Sequence, residues 1–295
     1  MIKYLENKKI DKIKWDACIQ QSKTPRIQVL SWYLDIVSPG WNALIFNEYE
    51  AVFPLPVKHK MGIPYLVQPV YIQQMGVYSK FTDTLVGDFL KAIPKKFIYQ
   101  NFTLNEENVS ETSTLPLLTN YKLDLSKDYN ELSKAYNRNC KRKLKTSLSY
   151  NLTADYQYNI PEFLDFFRKN VGDSIEQMEG YHYNILEKLL VELQKRGVGE
   201  IINIRYEDKL VAAGLYLLQE KELVFHICAS NATGKKQQAM TFLVDSQIKK
   251  YAGKKKWYDF TGSNIRGIAY FNSTFGAAEF KYPMYKGGIV SKLKK

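Results

Sequence analysis

Apolar and polar positions alternate with two different periods along this chain, and the period changes mark its elements. Residues 11–21 carry Ile13, Ala17 and Ile19 at helical spacing behind Asp11, so the pattern predicts an amphipathic helix. Ser31–Val37 predicts a second, stopped by Pro39-Gly40. The period then drops to two. Trp41–Phe46 and Ala51–Val57 predict a β-hairpin around Asn47-Glu48-Tyr49-Glu50. Ile63–Val70 and Gln74–Val77 read as extended, Asp83–Ile93 as a helix ended by Pro94, and Phe97–Phe102 as a strand. Residues 103–119 are rich in Ser, Thr and Asn and read as a loop.

The second half is more regular. Tyr121–Leu125 predicts a strand. Asp128–Leu148 predicts one helix with Leu132, Tyr136, Cys140, Leu144 and Leu148 four apart. A strand at Leu152–Tyr156 precedes a helix opened by Pro161, with Phe163, Phe166, Phe167 and Val171 on one face. After an acidic loop, Gly172–Gly180, comes a helix over Tyr183–Arg196. Strands Glu200–Tyr206, Lys209–Gln219 and Glu222–Ala229 follow, joined by hairpin-like junctions. Then come helix Lys235–Ala252, strand Trp257–Phe260, a short helix through Ile265, Ile268, Ala269 and Phe271 closed by Gly276, and strand Glu279–Tyr285. From residue 152 the order is β-α-α-β-β-β-α-β-α-β. Helices packed on both faces of a mixed sheet bury these faces most simply, so the fold class is α/β (α+β).

Composition narrows the chemistry. At 295 residues, 45% of them hydrophobic, there is room for two cores. Forty-two Lys and Arg against 30 Asp and Glu give a net charge of +12, which suits a polyanionic partner or simply a solvated surface. Cys18, Cys140 and Cys228 are scattered and odd in number, so neither a disulfide framework nor a zinc site is expected, and no metal. The N-terminal residues lack an apolar signal core, and the run Leu210–Leu218 is too short to span a bilayer. A cytoplasmic protein is the expectation. Walker-type, Gly-x-Gly-x-x-Gly, His-Glu-x-x-His and Gly-x-Ser-x-Gly motifs do not occur.

Three stretches carry a resemblance. They are the basic helix N-R-N-C-K-R-K-L-K at 137–145, L-V-A-A-G-L-Y-L at 210–217 with Ala229-Ser230-Asn231 after it, and D-F-T-G-S-N-I-R-G-I-A-Y-F-N-S-T-F-G-A at 259–277. Together with the element order they resemble the acyl-CoA N-acyltransferase (GNAT) superfamily, and within it the two-domain branch of Fem-type aminoacyl transferases and acetyltransferase-like relatives. The likeness is good over 121–285. It implies tandem GNAT-like domains, each a mixed, mostly antiparallel twisted sheet flanked by helices. Residues 1–120 would form a degenerate copy and 121–295 the complete one, its last strand or tail free to pack back on the first.

The resemblance also implies a site. His226, on the strand that lines the donor cleft in this superfamily, is the candidate base, because imidazole titrates near neutrality. Strict alternation puts His226 and Cys228 on one face and Phe225, Ile227 and Ala229 on the other. Asp259 either orients His226, acts itself, or caps the turn at Thr261–Ser263. Glu176 and Glu179 are candidates to bind or deprotonate the acceptor amine, and His182 nearby is a weaker one; a solvated acidic loop is the simpler reading of the same residues. The place of the cofactor pyrophosphate loop is taken by Ala229, Ser230, Asn231, Gly234, Lys235, Lys236, Gln237 and Gln238, with one glycine instead of the family's paired pattern. A helix start with two lysines still attracts phosphate. Arg138, Arg142 and Lys145 lie on adjacent turns and can hold a phosphate chain or an RNA backbone.

Three functions follow as expectations. The first is transfer of an acyl group from acyl-CoA to a small-molecule or peptide amine, by direct attack in a ternary complex. The second is Fem-type transfer of an amino acid from aminoacyl-tRNA to a peptidoglycan-type amine. The third is a catalytically inactive GNAT-like binding module.

Overall fold

A computed structural model describes residues 1–81, 85–110, 112, 114–172 and 178–290. In chain order the first elements are β1 (Ile2–Leu5), α1 (Lys12–Gln21), α2 (Ser31–Val37), β2 (Asn42–Phe46), β3 (Ala51–Leu55), β4 (Val57–Lys60), β5 (Ile63–Val67), β6 (Tyr78–Ser79), α3 (Val86–Lys91) and β7 (Gln100–Thr103). There follow β8 (Leu117–Asp124), α4 (Tyr129–Lys134), α5 (Arg138–Leu148), β9 (Thr153–Asp155), α6 (Ile160–Asn170), α7 (Gly180–Lys195), β10 (Gly199–Tyr206), β11 (Lys209–Leu218) and β12 (Glu222–Ser230). The chain closes with α8 (Ala232–Lys236), α9 (Ala239–Tyr251), β13 (Trp257–Asp259), α10 (Arg266–Ser273) and β14 (Ala278–Gly287).

Contacts divide these elements into two compact units, Met1–Thr119 with Phe280–Lys295, and Asn120–Glu279. The first unit holds an antiparallel sheet in the order β1-β2-β3-β6, and strands β4-β5-β7-β14, in which β5 and β7 run parallel. β1 is an element the hydrophobic pattern does not announce; it pairs with β2 from Ile2↔Phe46 to Leu5↔Ala43. Buried Trp15, Trp41, Phe53, Phe89 and Phe102 fill this unit's core. Ile13, expected on the inner face of α1, is 84% exposed, and Trp15, Cys18 and Ile19 are buried instead.

In the second unit the strand order is β8-β13-β12-β11-β10-β9, antiparallel except for β12 and β13. One sheet face packs Leu123, Ile202, Ile204, Tyr216, Phe225 and Tyr258 against Tyr136, Cys140, Leu243 and Val244 from the helical side. α6 and α7 bury Phe163, Phe166, Phe167, Leu186, Leu189 and Leu193. Each such side chain stabilises the fold by about 1.5–3 kcal/mol relative to exposure.

Two long helices expected from periodicity are each broken in two. Asp128–Leu148 becomes α4 and α5, because the Asn137 side chain accepts from the Cys140 N–H (2.9 Å) and starts a new helix. Tyr136 and Cys140 stay buried across the break, which is why the four-residue spacing persists. Lys235–Ala252 becomes α8 and α9, divided at Gln238, whose φ of 59° is left-handed. At the end of α10, Gly276 has φ 79°, and a Cβ there would press on Ala135.

Candidate functional site

β12 and β13 are the parallel pair of this sheet, and they stay paired only from Glu222↔Trp257 to Val224↔Asp259. Beyond that β13 ends while β12 runs on to Ser230 without it, and this opening is the splay. On its other edge β12 continues beside β11 to Ser230↔Ala212, with a register shift at which Leu215 faces Ile227 and Tyr216 faces Phe225. His226 is the extra residue of this β-bulge. A bulge breaks the alternation of side chains, so the predicted faces are corrected: Phe225 shares the helical-side core with Cys228. His226 is half-buried at the mouth of the splay, and burial pushes its imidazole down to about 4. It is therefore neutral at pH 7, and the same desolvation makes it a weaker base than a free imidazole.

The turn after β13 is strained and heavily braced. Thr261 has φ 49° and Gly262 φ 55°, and a β-branched residue in that region needs compensation. The Thr261 hydroxyl donates to the Phe225 carbonyl (2.5 Å), closing the base of the splay, and its N–H donates to Asp259 Oδ1 (3.0 Å). Ser263 receives a hydrogen bond from buried Asn272 (2.8 Å), which ties the turn to α10.

Asp259 is fully buried beneath this turn. Asn120 Nδ2 donates to its Oδ1 (2.8 Å), and Lys122 Nζ lies 3.9 Å from its Oδ2. Lys122 also donates to Glu222 Oε1 (3.0 Å), and Gln219 donates to Glu222 Oε2 (3.2 Å). Sequence reasoning overlooked Asn120, Lys122 and Glu222. A lysine between Tyr121 and Leu123 in a strand was the available signal, but its partners lie far along the chain. The cluster braces β8, β12 and β13 together just below the splay.

In the segment matched to the pyrophosphate loop, Ala229 is buried in β12 and the Ser230 hydroxyl donates to the Val211 carbonyl (3.3 Å). Asn231 caps α8 by accepting from the Gly234 N–H (2.8 Å). Gly234 is buried so tightly that a Cβ would collide with the Val211 carbonyl and Ser230. Lys235 and Lys236 are exposed, Gln237 is buried, and Gln238 Nε2 donates to the Lys235 carbonyl (3.0 Å). α9 then opens without a side-chain cap.

Glu176 lies outside the described residues. Glu179 and His182 start α7, with the Glu179 N–H donating to His182 Nδ1 (3.0 Å). Burial pushes the thiols of Cys18, Cys140 and Cys228 up to about 11, so at neutral pH they are not thiolates. Among the described residues no cluster of His, Cys, Asp and Glu is placed to hold a metal ion. Nor is any helix among them long and apolar enough to cross a membrane.

Arg138, Arg142 and Lys145 are exposed on α5. Arg142 Nη2 donates to Asn139 Oδ1 (2.9 Å), and Asn139 Nδ2 reaches Tyr270 Oη on α10 (3.4 Å). Asn137, Arg138, Asn139, Arg142 and Tyr270 line an open depression of about 550 Å³. Among the described residues the basic side chains of α5 make no ion pair with a carboxylate. Arg205, by contrast, is held by Asp155 (3.1 Å) and Glu162 (2.8 Å).

A parallel pair that opens beside a helix, with a bulge on the inner strand, is the sheet arrangement at this site. No family model and no curated protein matches the chain. Solved structures do. FemX superposes with a TM-score of 0.69 at 12% identity, covering 99% of both chains. A tandem GNAT protein from the clavulanic acid biosynthesis pathway gives 0.59 at 9%, covering 97% of this chain and 98% of that one. L-PGS from Bacillus licheniformis gives 0.57 at 11%, with 96% of each chain covered. The fold is thus the two-domain, tandem GNAT-like fold of the Fem type.

Proposed function

We propose that the protein transfers an acyl group from a phosphate-rich carrier to an amine by direct attack in a ternary complex, and that the carrier is an aminoacyl-tRNA. The observation that carries this reading is the open depression on α5, bordered by Arg138 and Arg142, which have no carboxylate partner among the described residues. The single glycine of the segment before α9 is instead packed against Val211, and its N–H is taken by Asn231. A backbone cradle for a pyrophosphate needs amides that are free and glycines that are open. The fold likeness to FemX spans both whole chains, as does that to the tandem GNAT protein, so the fold alone does not choose the carrier.

The chemistry asks for little. The amine nitrogen attacks the carbonyl carbon, a C–N bond forms, and the C–O bond to the ribose breaks. The amine gives up a proton to a base, and the ribose oxygen gains one. His226 is the proposed acceptor of the amine proton; burial keeps it neutral at pH 7 and also weakens it as a base. The stretch of β12 beyond Val224, where its pairing with β13 ends, is the proposed place of the developing oxyanion. Asp259 holds the turn instead of touching the reactants. The acceptor implied by the Fem-type resemblance is a peptidoglycan-type amine.

Acyl-CoA as donor has one observation of its own: α9 begins without a side-chain cap. Two measurements separate the carriers. Incubation with charged tRNA and a peptide amine is expected to give a new amide by mass spectrometry, while a panel of acyl-CoAs leaves the melting temperature unchanged. A rise in melting temperature with acyl-CoA, and no amide from charged tRNA, would reverse the assignment. Binding of RNA without any transfer would leave a binding module.

A further inference from the structure

We infer that the depression between α5 and α10 seats an unpaired nucleotide of the carrier, its phosphate on Arg138 and Arg142 and its base on the ring of Tyr270. This rests on the RNA reading of the carrier given above and names the part of the RNA that is held. The lining consists of two guanidinium groups, two amides and one phenol, with no carboxylate and no aliphatic wall. Each candidate ligand meets that lining differently. A cation is repelled. A lipid tail or an aliphatic side chain finds nothing apolar to cover it. A bare phosphate uses the arginines and leaves the ring idle. A nucleotide uses all of it, because guanidinium groups pair with phosphate and an exposed aromatic ring stacks on a base.

The arrangement is held in place. Arg138 and Arg142 are one turn apart on α5, so both can reach one phosphate or two successive ones. Asn139 fixes the second of them and the ring together, accepting from Arg142 Nη2 (2.9 Å) and donating to Tyr270 Oη (3.4 Å). Tyr270 is 55% exposed, so its ring retains surface for a partner. Asn137 both caps α5 and receives its position from the Thr274 carbonyl at the end of α10 (2.9 Å), which locks the two helices in register. In a duplex the bases are stacked on one another and cannot be given to Tyr270. An unpaired strand end can be.

The test compares an RNA hairpin carrying a four-nucleotide single-stranded 3′ end with the same hairpin made blunt, using the full chain. The overhang is expected to tighten binding by about tenfold, the usual worth of one stacked base. Tyr270→Ala is expected to abolish that advantage and leave the blunt hairpin unaffected, and Tyr270→Phe, which keeps the ring, to restore most of it. Arg138→Ala with Arg142→Ala should weaken both RNAs and lower the slope of log K against log salt by about 1.5. Retention of the overhang advantage in Tyr270→Ala overturns the seat. So does displacement of the overhang by coenzyme A at micromolar concentration, which would hand the site to that nucleotide. Binding of phosphatidylglycerol vesicles that is lost in Arg138→Ala with Arg142→Ala, with no preference for overhang RNA, overturns it in favour of a lipid surface. Wild-type protein that binds neither RNA overturns the carrier reading as well, whereas RNA binding without an overhang preference overturns the seat alone.

Discussion

Two charged regions of the second unit treat their charges in opposite ways. Under the splay, Lys122, Glu222 and Asp259 are taken out of water and satisfied by one another and by Asn120 and Gln219. On α5, Arg138 and Arg142 stay in water, border an open depression and find no carboxylate among the described residues. Desolvation explains the difference. A buried lysine without its carboxylates would cost several kcal/mol, so the cluster must be complete for the fold to exist. An exposed arginine costs little unpaired, so it can be kept for a partner that is not part of the chain. The first region serves the architecture of the site, and the second is the proposed contact with a polyanion.

The contrast can be broken most severely at Lys122, which is only 2% exposed. Lys122→Met leaves two carboxylates uncompensated and is expected to destabilise the protein by about 3–5 kcal/mol in urea unfolding. A loss under about 1 kcal/mol would show that the cluster is wet and loosely held. Adding Glu222→Gln to that variant should recover part of the loss. Gly234→Ala comes next. Its methyl group meets the Val211 carbonyl, so overpacking should cost about 1–3 kcal/mol. An unchanged midpoint would mean that α8 moves aside easily and that the segment before α9 can open for a cofactor.

A smaller effect is expected from pH. The folded-state pKa of His226 is lowered from 6.5 to about 4 by burial, so the unfolded chain binds its proton first. Its contribution is complete above pH 6.5 and is lost as pH falls through 4. His226→Gln should therefore flatten the decline in stability over that window, and parallel curves for the two proteins would contradict it. The same variant should lose transfer activity at pH 7. At the bottom of the scale stands Arg138→Ala with Arg142→Ala, expected to leave unfolding within about 0.5 kcal/mol of wild type. If that pair unfolded the protein, α5 would belong with the cluster rather than opposite it.

Much of this was legible along the chain, because it depends on neighbours in sequence. The order β-α-α-β-β-β-α-β-α-β after residue 152, in which α8 and α9 read as one helix, follows from local periodicity and turn residues. So does the left-handed Gly276 that ends α10. Other readings failed where a local rule met a longer-range one. The spacing through Tyr136 and Cys140 reads as one helix, yet Asn137 offers its side chain to the backbone and divides it. Alternation reads His226 with Cys228, yet a bulge against β11 moves Phe225 to that face.

What the sequence by itself determined is most of the element order, the tandem GNAT-like class, and a stretch with six cations and no acid between Glu131 and Asp155. These are properties of short windows, fixed by spacing and by the absence of nearby opposite charge. Only the tertiary structure decided which charges are spent. Lys122 meets Glu222 across 100 residues, and Asn120 meets Asp259 across 139. Desolvation and pairing depend on what folding brings within a few ångströms, and no window of the sequence contains both partners.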